Sequence, residues 1–336
     1  MDRIGVRLPN PVGDVVAATP FIRLLKQRHP EDRIVLIGSA KAIELLDGLD
    51  TWHEAEAIED SPSHGKSSSF DEATFLKHLL LDQIYLLPNS FSSALSATIA
   101  RIPVRIGRRA PFRRFLLTRR LPKVGKPRPM TRVYSEMIGE VQPPKIELGV
   151  TERGDRLASE TLKGLAEHGI HPPFLAVAPG AAFGPSKVYP CELMAKAVQL
   201  SAKKTGLQPV YFGAPEESEL IRSVKSIYPA PFLHASLSEM KSLFRECKAL
   251  LSMDSGARHI AAALNLPQVI LYGPTDPRWT NFEQEMTVAL RRKDLSCSPC
   301  HKKQCPTDHA CMKEISPEEI SEAVTTATQK GKILSF

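Results

Sequence analysis

No stretch of this 336-residue chain approaches the about eighteen consecutive apolar residues that cross a bilayer as a helix. The opening residues, MDRIGVRLPN, place Asp2 and Arg7 where a secretory signal would need an unbroken apolar core. A cytoplasmic protein with no transmembrane segment is therefore expected. Aromatic residues make up 6% of the chain and it carries no nucleic-acid motif, which argues against a nucleic-acid partner despite a net charge of +7. Acidic residues are missing altogether between Arg101 and Arg132, a span holding twelve Lys and Arg. Such a segment either faces a polyanion (a phospholipid surface, a phosphorylated glycan or nucleic acid) or is a solvated loop. Phe112, Phe115, Leu116 and Leu117 interrupt it, so part of it must pack. A glycine is also missing five residues before Gly65, where Asp60 stands, so Gly65-Lys66-Ser67 in the polar loop DSPSHGKSSSF is not a phosphate loop.

What is present is a globular composition, 42% hydrophobic and 24% charged, on a chain long enough for two domains. Apolar runs alternate with amphipathic stretches throughout. RIGVRL, RIVLIG, QIYLLP and VRIG read as strands of a first half, with helices near 15–28, 71–79 and 91–99. FLAVAPG, QPVYFG, ALLSMD and QVILYG read as strands of a second, with helices near 190–203, 216–226, 238–246 and 257–265. Alternation of this kind predicts an α/β fold: parallel sheets covered by helices, in two Rossmann-like domains facing across a central cleft. The composition changes near 142–153, giving domains 1–150 and 151–336, with the last helix allowed to pack back on the first.

Several short stretches carry chemistry. Asp14 follows Gly13 where the run Ile4–Leu8 gives way to a helical pattern. Aspartate is among the best helix caps, and a carboxylate at a strand end is also a general base; both readings stand. Pro20 either kinks this helix or marks its restart. In the second half, ALLSMD runs into Asp254-Ser255-Gly256 and a helix follows at once. Ser255 can cap it, Gly256 lets backbone approach a phosphate, and His259 returns to the same face one turn on. The loop APGAAFGPSKVYP keeps its amides out of regular structure and offers Lys187 as a point charge, or simply as a surface lysine. Both loops leave carboxyl ends of strands, where open parallel sheets bind ligands, so a nucleotide diphosphate is the economical occupant. Glu216 and Glu217 either accept from ribose hydroxyls or favour a helix start. Cys297, Cys300, Cys305 and Cys311, spaced C-x2-C-x4-C-x5-C, suit a structural zinc in a reducing compartment or serve packing alone.

Taken in order, RLPNPVGDVVAATP, LLPNSFSSALSATIARIPVRIG, PGAAFGPSKVYP, MDSGARHIAAALNLPQVILYGPTDP and CSPC resemble the lipopolysaccharide heptosyltransferases of glycosyltransferase family nine, most closely heptosyltransferase II. The resemblance covers Ile4 to about Glu314. It implies the GT-B arrangement, an N-terminal domain receiving the anionic lipid A core at the inner membrane surface, and a C-terminal domain holding ADP-heptose. The implied reaction is inverting, with no cofactor or metal required. The family's V-G-D aspartate matches Asp14, its loop lysine Lys187, and its D-S-G-x-x-H site Asp254, Ser255, Gly256 and His259. Gly13, Ser186, Glu216 and Glu217 join the expected donor contacts. Asn89, Ser90, Arg105, Arg108, Arg109, Arg113 and Arg114 are expected to hold the acceptor. The chain departs from the family where Val188-Tyr189-Pro190 stands in place of Arg-Trp-Pro, losing a charge beside the diphosphate. A monomer, peripheral on the cytoplasmic face of the inner membrane, is expected. The alternatives are a family relative with another nucleotide sugar or acceptor, and a non-catalytic nucleotide-sugar binder.

Overall fold

The computed structural model describes residues 1–58, 68–280 and 286–333, so Gly65-Lys66-Ser67 and most of the polar loop around it lie outside the described residues. The chain divides into two compact units, Met1–Gly149 and Val150–Phe336.

The N-terminal unit is built on β1 (Arg3–Arg7), β2 (Arg33–Gly38), β3 (Glu54–Ala57), β4 (Gln83–Leu86), β5 (Val104–Arg108) and β6 (Arg119–Leu121). These form one parallel sheet in the order β3-β2-β1-β4-β5-β6. Its helices are α1 (Val12–Ala17), α2 (Thr19–Arg28), α3 (Ala40–Leu46), α4 (Ser69–His78), α5 (Phe91–Ile99) and α6 (Met130–Ser135). The inner strands are apolar because helices cover them. Ile34, Val35, Leu36 and Ile37 of β2 are fully buried. The single helix read over 15–28 is two, α1 and α2, with Pro20 in the first turn of α2. Proline is tolerated there because that N–H has no helical partner. The edge strands β3, EAEA, and β6, RRL, lack the apolar pattern because solvent reaches them.

The C-terminal unit repeats the plan with β7 (Phe174–Ala178), β8 (Gln208–Phe212), β9 (Phe232–Leu233), β10 (Cys247–Met253), β11 (Gln268–Tyr272) and β12 (Thr287–Arg291), ordered β12-β11-β10-β7-β8-β9 and again parallel. Its helices are α7 (Glu152–Glu167), α8 (Cys191–Thr205), α9 (Ser218–Ile227), α10 (Leu237–Arg245), α11 (Gly256–Ala263), α12 (Pro277–Thr280), α13 (Ala310–Lys313) and α14 (Pro317–Ile333). Ile320, Ala323, Val324 and Ala327 of α14 join the core of their own unit with Met194 and Val198 of α8.

Counted from its own first strand, each sheet follows the order 3-2-1-4-5-6, so the winding reverses between β1 and β4 and between β7 and β10. At such a reversal the connecting helices diverge to opposite faces and leave a crevice at the strands' carboxyl ends.

Two glycines of opposite character test the packing. A Cβ on Gly149 would land on the carbonyl of Gly48, whereas one on Gly164, inside α7, meets open space. Thermal unfolding is expected to show Gly149→Ala destabilising by about 1–3 kcal/mol and Gly164→Ala stabilising by about 0.5–1 kcal/mol.

Candidate functional site

The two loops at the N-terminal reversal follow β1 and β4. The first carries Asp14 as the third residue of α1, after Val12 and Gly13; the cap position belongs to Pro11 and no side chain caps the helix. Asp14 donates its own N–H to the Pro11 carbonyl at 3.0 Å, and among the described residues no donor is bonded to its carboxyl group. Burial pushes that carboxyl up from 3.8 to about 6. Capping is thus excluded by geometry, and the group is a stronger base than an ordinary aspartate. Tyr134 of α6 is buried close by, and its hydroxyl is held protonated first by burial and then by the Asp14 charge.

The loop after β4 presents Asn89, exposed, and Ser90, whose hydroxyl caps α5 by accepting from the Ser93 N–H at 3.3 Å. Five arginines were expected to serve this end, and three are structural. Arg108 is buried, donating to Glu136 at 2.8 Å and to the Val133 carbonyl at 2.7 Å. Arg113 is wholly buried and donates to the Pro88 carbonyl at 2.5 Å; burial lowers its pKa to about 10. Arg105 donates to the carbonyls of Leu116 at 2.8 Å and Ile102 at 2.6 Å. A charge-run reading cannot separate these from Arg109 and Arg114, which remain exposed.

At the C-terminal reversal the loops follow β7 and β10. Lys187 ends a tight 3-10 turn, Pro185–Lys187, and donates through Nζ to the Asp254 carbonyl at 2.7 Å and to its Oδ2 at 2.8 Å. The same carboxylate accepts from Thr275 at 2.7 Å, Thr280 at 3.2 Å and Arg258 at 3.3 Å. Burial alone would raise the Asp254 pKa, but the Lys187 and Arg258 charges hold it far below the usual carboxylate range. His259 is buried, and burial together with the neighbouring Arg258 charge keeps it neutral. Two cations therefore share one carboxylate, leaving an excess of positive charge where the first amides of α11 also point outward. Ser255 occupies the α11 cap position, but its hydroxyl lies 3.2 Å from Ser252 Oγ and does not cap the helix; Gly256 opens the first turn.

Glu217 accepts from the Ala214 N–H at 2.9 Å and lies so close to Gly180, in the loop after β7, that a Cβ there would strike its carboxylate. Burial raises its pKa, while Glu216 is exposed. Ser186 was expected to meet the donor. Its groups are taken instead by the cysteine-rich segment: its hydroxyl donates to the Lys302 carbonyl at 2.6 Å, its N–H to the Lys303 carbonyl at 3.1 Å, and its carbonyl lies 2.7 Å from His309 Nε2. Cys297, Cys300, Cys305 and Cys311 line one cavity of about 190 Å³. Among the described residues no three His, Cys, Asp or Glu stand close enough to hold a metal. Cys311 packs beside Gly273, and burial pushes its thiol up to about 11. Sequence reasoning missed Arg258, Thr275 and Thr280; Arg258 is one helical turn from Asp254, but the two threonines are more than twenty residues away and only folding brings them onto its carboxylate.

Two parallel α/β units thus carry a carboxyl of raised pKa at one order reversal and a lysine–arginine–aspartate cluster at the other. The family model for glycosyltransferase family 9 (heptosyltransferase) matches residues 75–311, and the chain belongs to that family. The lipopolysaccharide heptosyltransferase 2 of Salmonella typhimurium is 31% identical over 81% of this chain and 83% of its own. The structure of Escherichia coli ADP-heptose LPS heptosyltransferase II, 25% identical, superposes with a TM-score of 0.79 over 98% of this chain and 99% of its own. A family 9 glycosyltransferase from Veillonella parvula, 20% identical, shares the fold with a TM-score of 0.82 over 98% and 97% of the two chains.

The Asp254 cluster makes unequal demands on its members. Asp254→Ala strands two buried cations and is expected to cost about 3–5 kcal/mol. Lys187→Met leaves the carboxylate with Arg258, Thr275 and Thr280 and should cost clearly less in thermal denaturation; equal losses would contradict this arrangement.

Proposed function

We propose that this glycosyltransferase moves a heptose from ADP-L-glycero-D-manno-heptose to the inner core of lipopolysaccharide with inversion at the anomeric carbon. The observation that carries the reading is Asp14: a carboxyl with no bonded donor among the described residues, lifted to about 6, at the ligand-binding end of the first sheet. In the proposed step the acceptor hydroxyl attacks the anomeric carbon while the bond to the diphosphate breaks. Asp14 takes the hydroxyl proton, and the electron pair of the broken bond leaves on ADP. A carboxylate suffices as base because the proton becomes acidic only as the new bond forms.

The C-terminal unit meets the charge that appears on the leaving group. Lys187, the α11 amides at Gly256 and neutral His259 supply preorganised donors, with Arg258 as the second cation behind them. Val188 offers no charge, so the cationic excess here comes from the strand end and α11. Glu217 and Gly180 form the floor on which the nucleoside rests, with Glu216 at its exposed edge. This chemistry assigns the metal no role. In the N-terminal unit Asn89, Arg109 and Arg114 are the exposed polar groups left to meet an anionic core, with Ser90 turning the loop that carries Asn89. The protein is read as a monomer, peripheral on the cytoplasmic face of the inner membrane; among the described residues no helix is long and apolar enough to cross it.

A panel of ADP-heptose and other nucleotide sugars against heptosylated core acceptor, read as nucleotide release and product linkage, tests the reading. ADP-heptose alone should turn over; turnover with a different sugar would reassign the donor, and none at all would leave only a binder. The rate should rise with pH up to about 6 and then level, because Asp14 must be ionised to accept the proton. Asp14→Asn should abolish turnover while keeping donor affinity. The same substitution should stabilise the fold. A folded pKa of about 6 against 3.8 unfolded means the ionised carboxyl destabilises, fully above the folded value and not at all below the unfolded one. The gain should be about 2–3 kcal/mol at pH 7.5 and vanish below about pH 4.

A further inference from the structure

The segment between β5 and β6 contains an apolar feature that neither the core nor the chemistry uses. Phe112 is 82% exposed and Phe115 70% exposed, among the largest uncovered hydrophobic side chains of the chain. Phe112 holds a left-handed backbone, φ 58, a conformation bulky aromatic residues rarely adopt. The guanidinium of Arg114 lies 4.5 Å from the centre of the Phe115 ring. Arg109, Arg119, Arg120 and Lys123 are exposed along the same segment, and no acidic residue occurs from Arg101 to Arg132.

This loop is held, not loose. Arg113, wholly buried between the two phenylalanines in sequence, fastens it to the Pro88 carbonyl, immediately before Asn89 and Ser90. Farther along, the Thr98 hydroxyl on α5 lies 3.2 Å from the Leu116 carbonyl, and α5 turns Phe91 and Ile99 toward solvent. Two aromatic rings are therefore presented at a fixed place, one of them under the Arg114 guanidinium, in a segment whose charged residues are all basic and which is tied to the loop that ends β4. Rings that enter the acyl boundary and cations that meet lipid phosphates are the two attractions of a peripheral anchor.

We propose that Phe112 and Phe115, with the cations around them, form a wedge that docks the N-terminal unit on an anionic phospholipid bilayer. The charge run alone would suit any polyanion. The exposed aromatic side chains, spaced through cations with no acid among them, favour a surface that is charged outside and apolar beneath. The proposal rests on reading the acceptor as membrane-embedded, and it places the acceptor loop next to the lipid.

The test uses the full-length protein and vesicles without acceptor. Flotation should recover the protein with phosphatidylcholine vesicles containing about 30% phosphatidylglycerol and at least about tenfold less with phosphatidylcholine alone. Phe112→Ser combined with Phe115→Ser should weaken the anionic binding by at least about tenfold while the melting temperature stays unchanged, because both rings are already exposed. Binding that survives the double substitution, binding equal on both vesicle types, or tighter retention on single-stranded RNA than on vesicles would each overturn the wedge. With turnover measured separately, the double variant should keep full rate on deacylated, water-soluble acceptor and lose it on acceptor in bilayers. Absence of turnover by the wild type on either acceptor would count against the transferase reading and leave the vesicle result standing.

Discussion

A parallel sheet places all of its carboxyl ends along one edge, and wherever its winding reverses, no connecting helix covers that edge. Both units of this chain have that reversal at the same point of their strand order. Asp14, in the first turn of α1, and Asn89 follow the strand ends at one reversal, Lys187 and Asp254 those at the other. The residues that could do chemistry are thus concentrated by topology before any side chain is considered. The buried strands β2, β7, β10 and β11 supply the rigidity that keeps these loops at fixed positions.

The two reversals solve opposite electrostatic problems. At Asp14 a half-buried carboxyl has no bonded donor among the described residues, which costs stability and leaves the group basic. At Asp254 a carboxylate is buried under four side-chain donors, and the Lys187 and Arg258 charges hold its pKa far below the usual carboxylate range. The first arrangement suits a proton acceptor and the second an anion site. The cysteine-rich segment supports the second: through Lys302, Lys303 and His309 it holds every polar group of Ser186, and with them the turn that carries Lys187.

Much of the fold was legible because its central strands are continuous apolar runs and its ligand loops begin where those runs end. FLAVA and CKALLSM read as buried strands without help from any partner. The edge strands EAEA and RRL did not, since a strand with one free edge and a wet face needs no apolar pattern. In the candidate site Asp14, Lys187, Asp254 and His259 were legible from turn chemistry and from resemblance to the family. Arg258, Thr275 and Thr280 were not, because nothing in their spacing says that three donors converge on a single carboxylate.

The sequence by itself determined the α/β alternation, the place of each glycine-rich or acid-bearing turn at a strand end, and the concentration of positive charge between Arg101 and Arg132. Local pattern suffices for these, since backbone preference and solvent exposure act residue by residue. Only the tertiary structure decided which charges are free. Arg113 and Arg109 lie in the same run, yet one is wholly buried against the Pro88 carbonyl and the other is in solvent. Asp14 and Asp254 are both acids at strand ends, yet burial lifts one while paired cations hold the other down. Charge state depends on what distant segments bring within a few ångströms, and that is settled by packing.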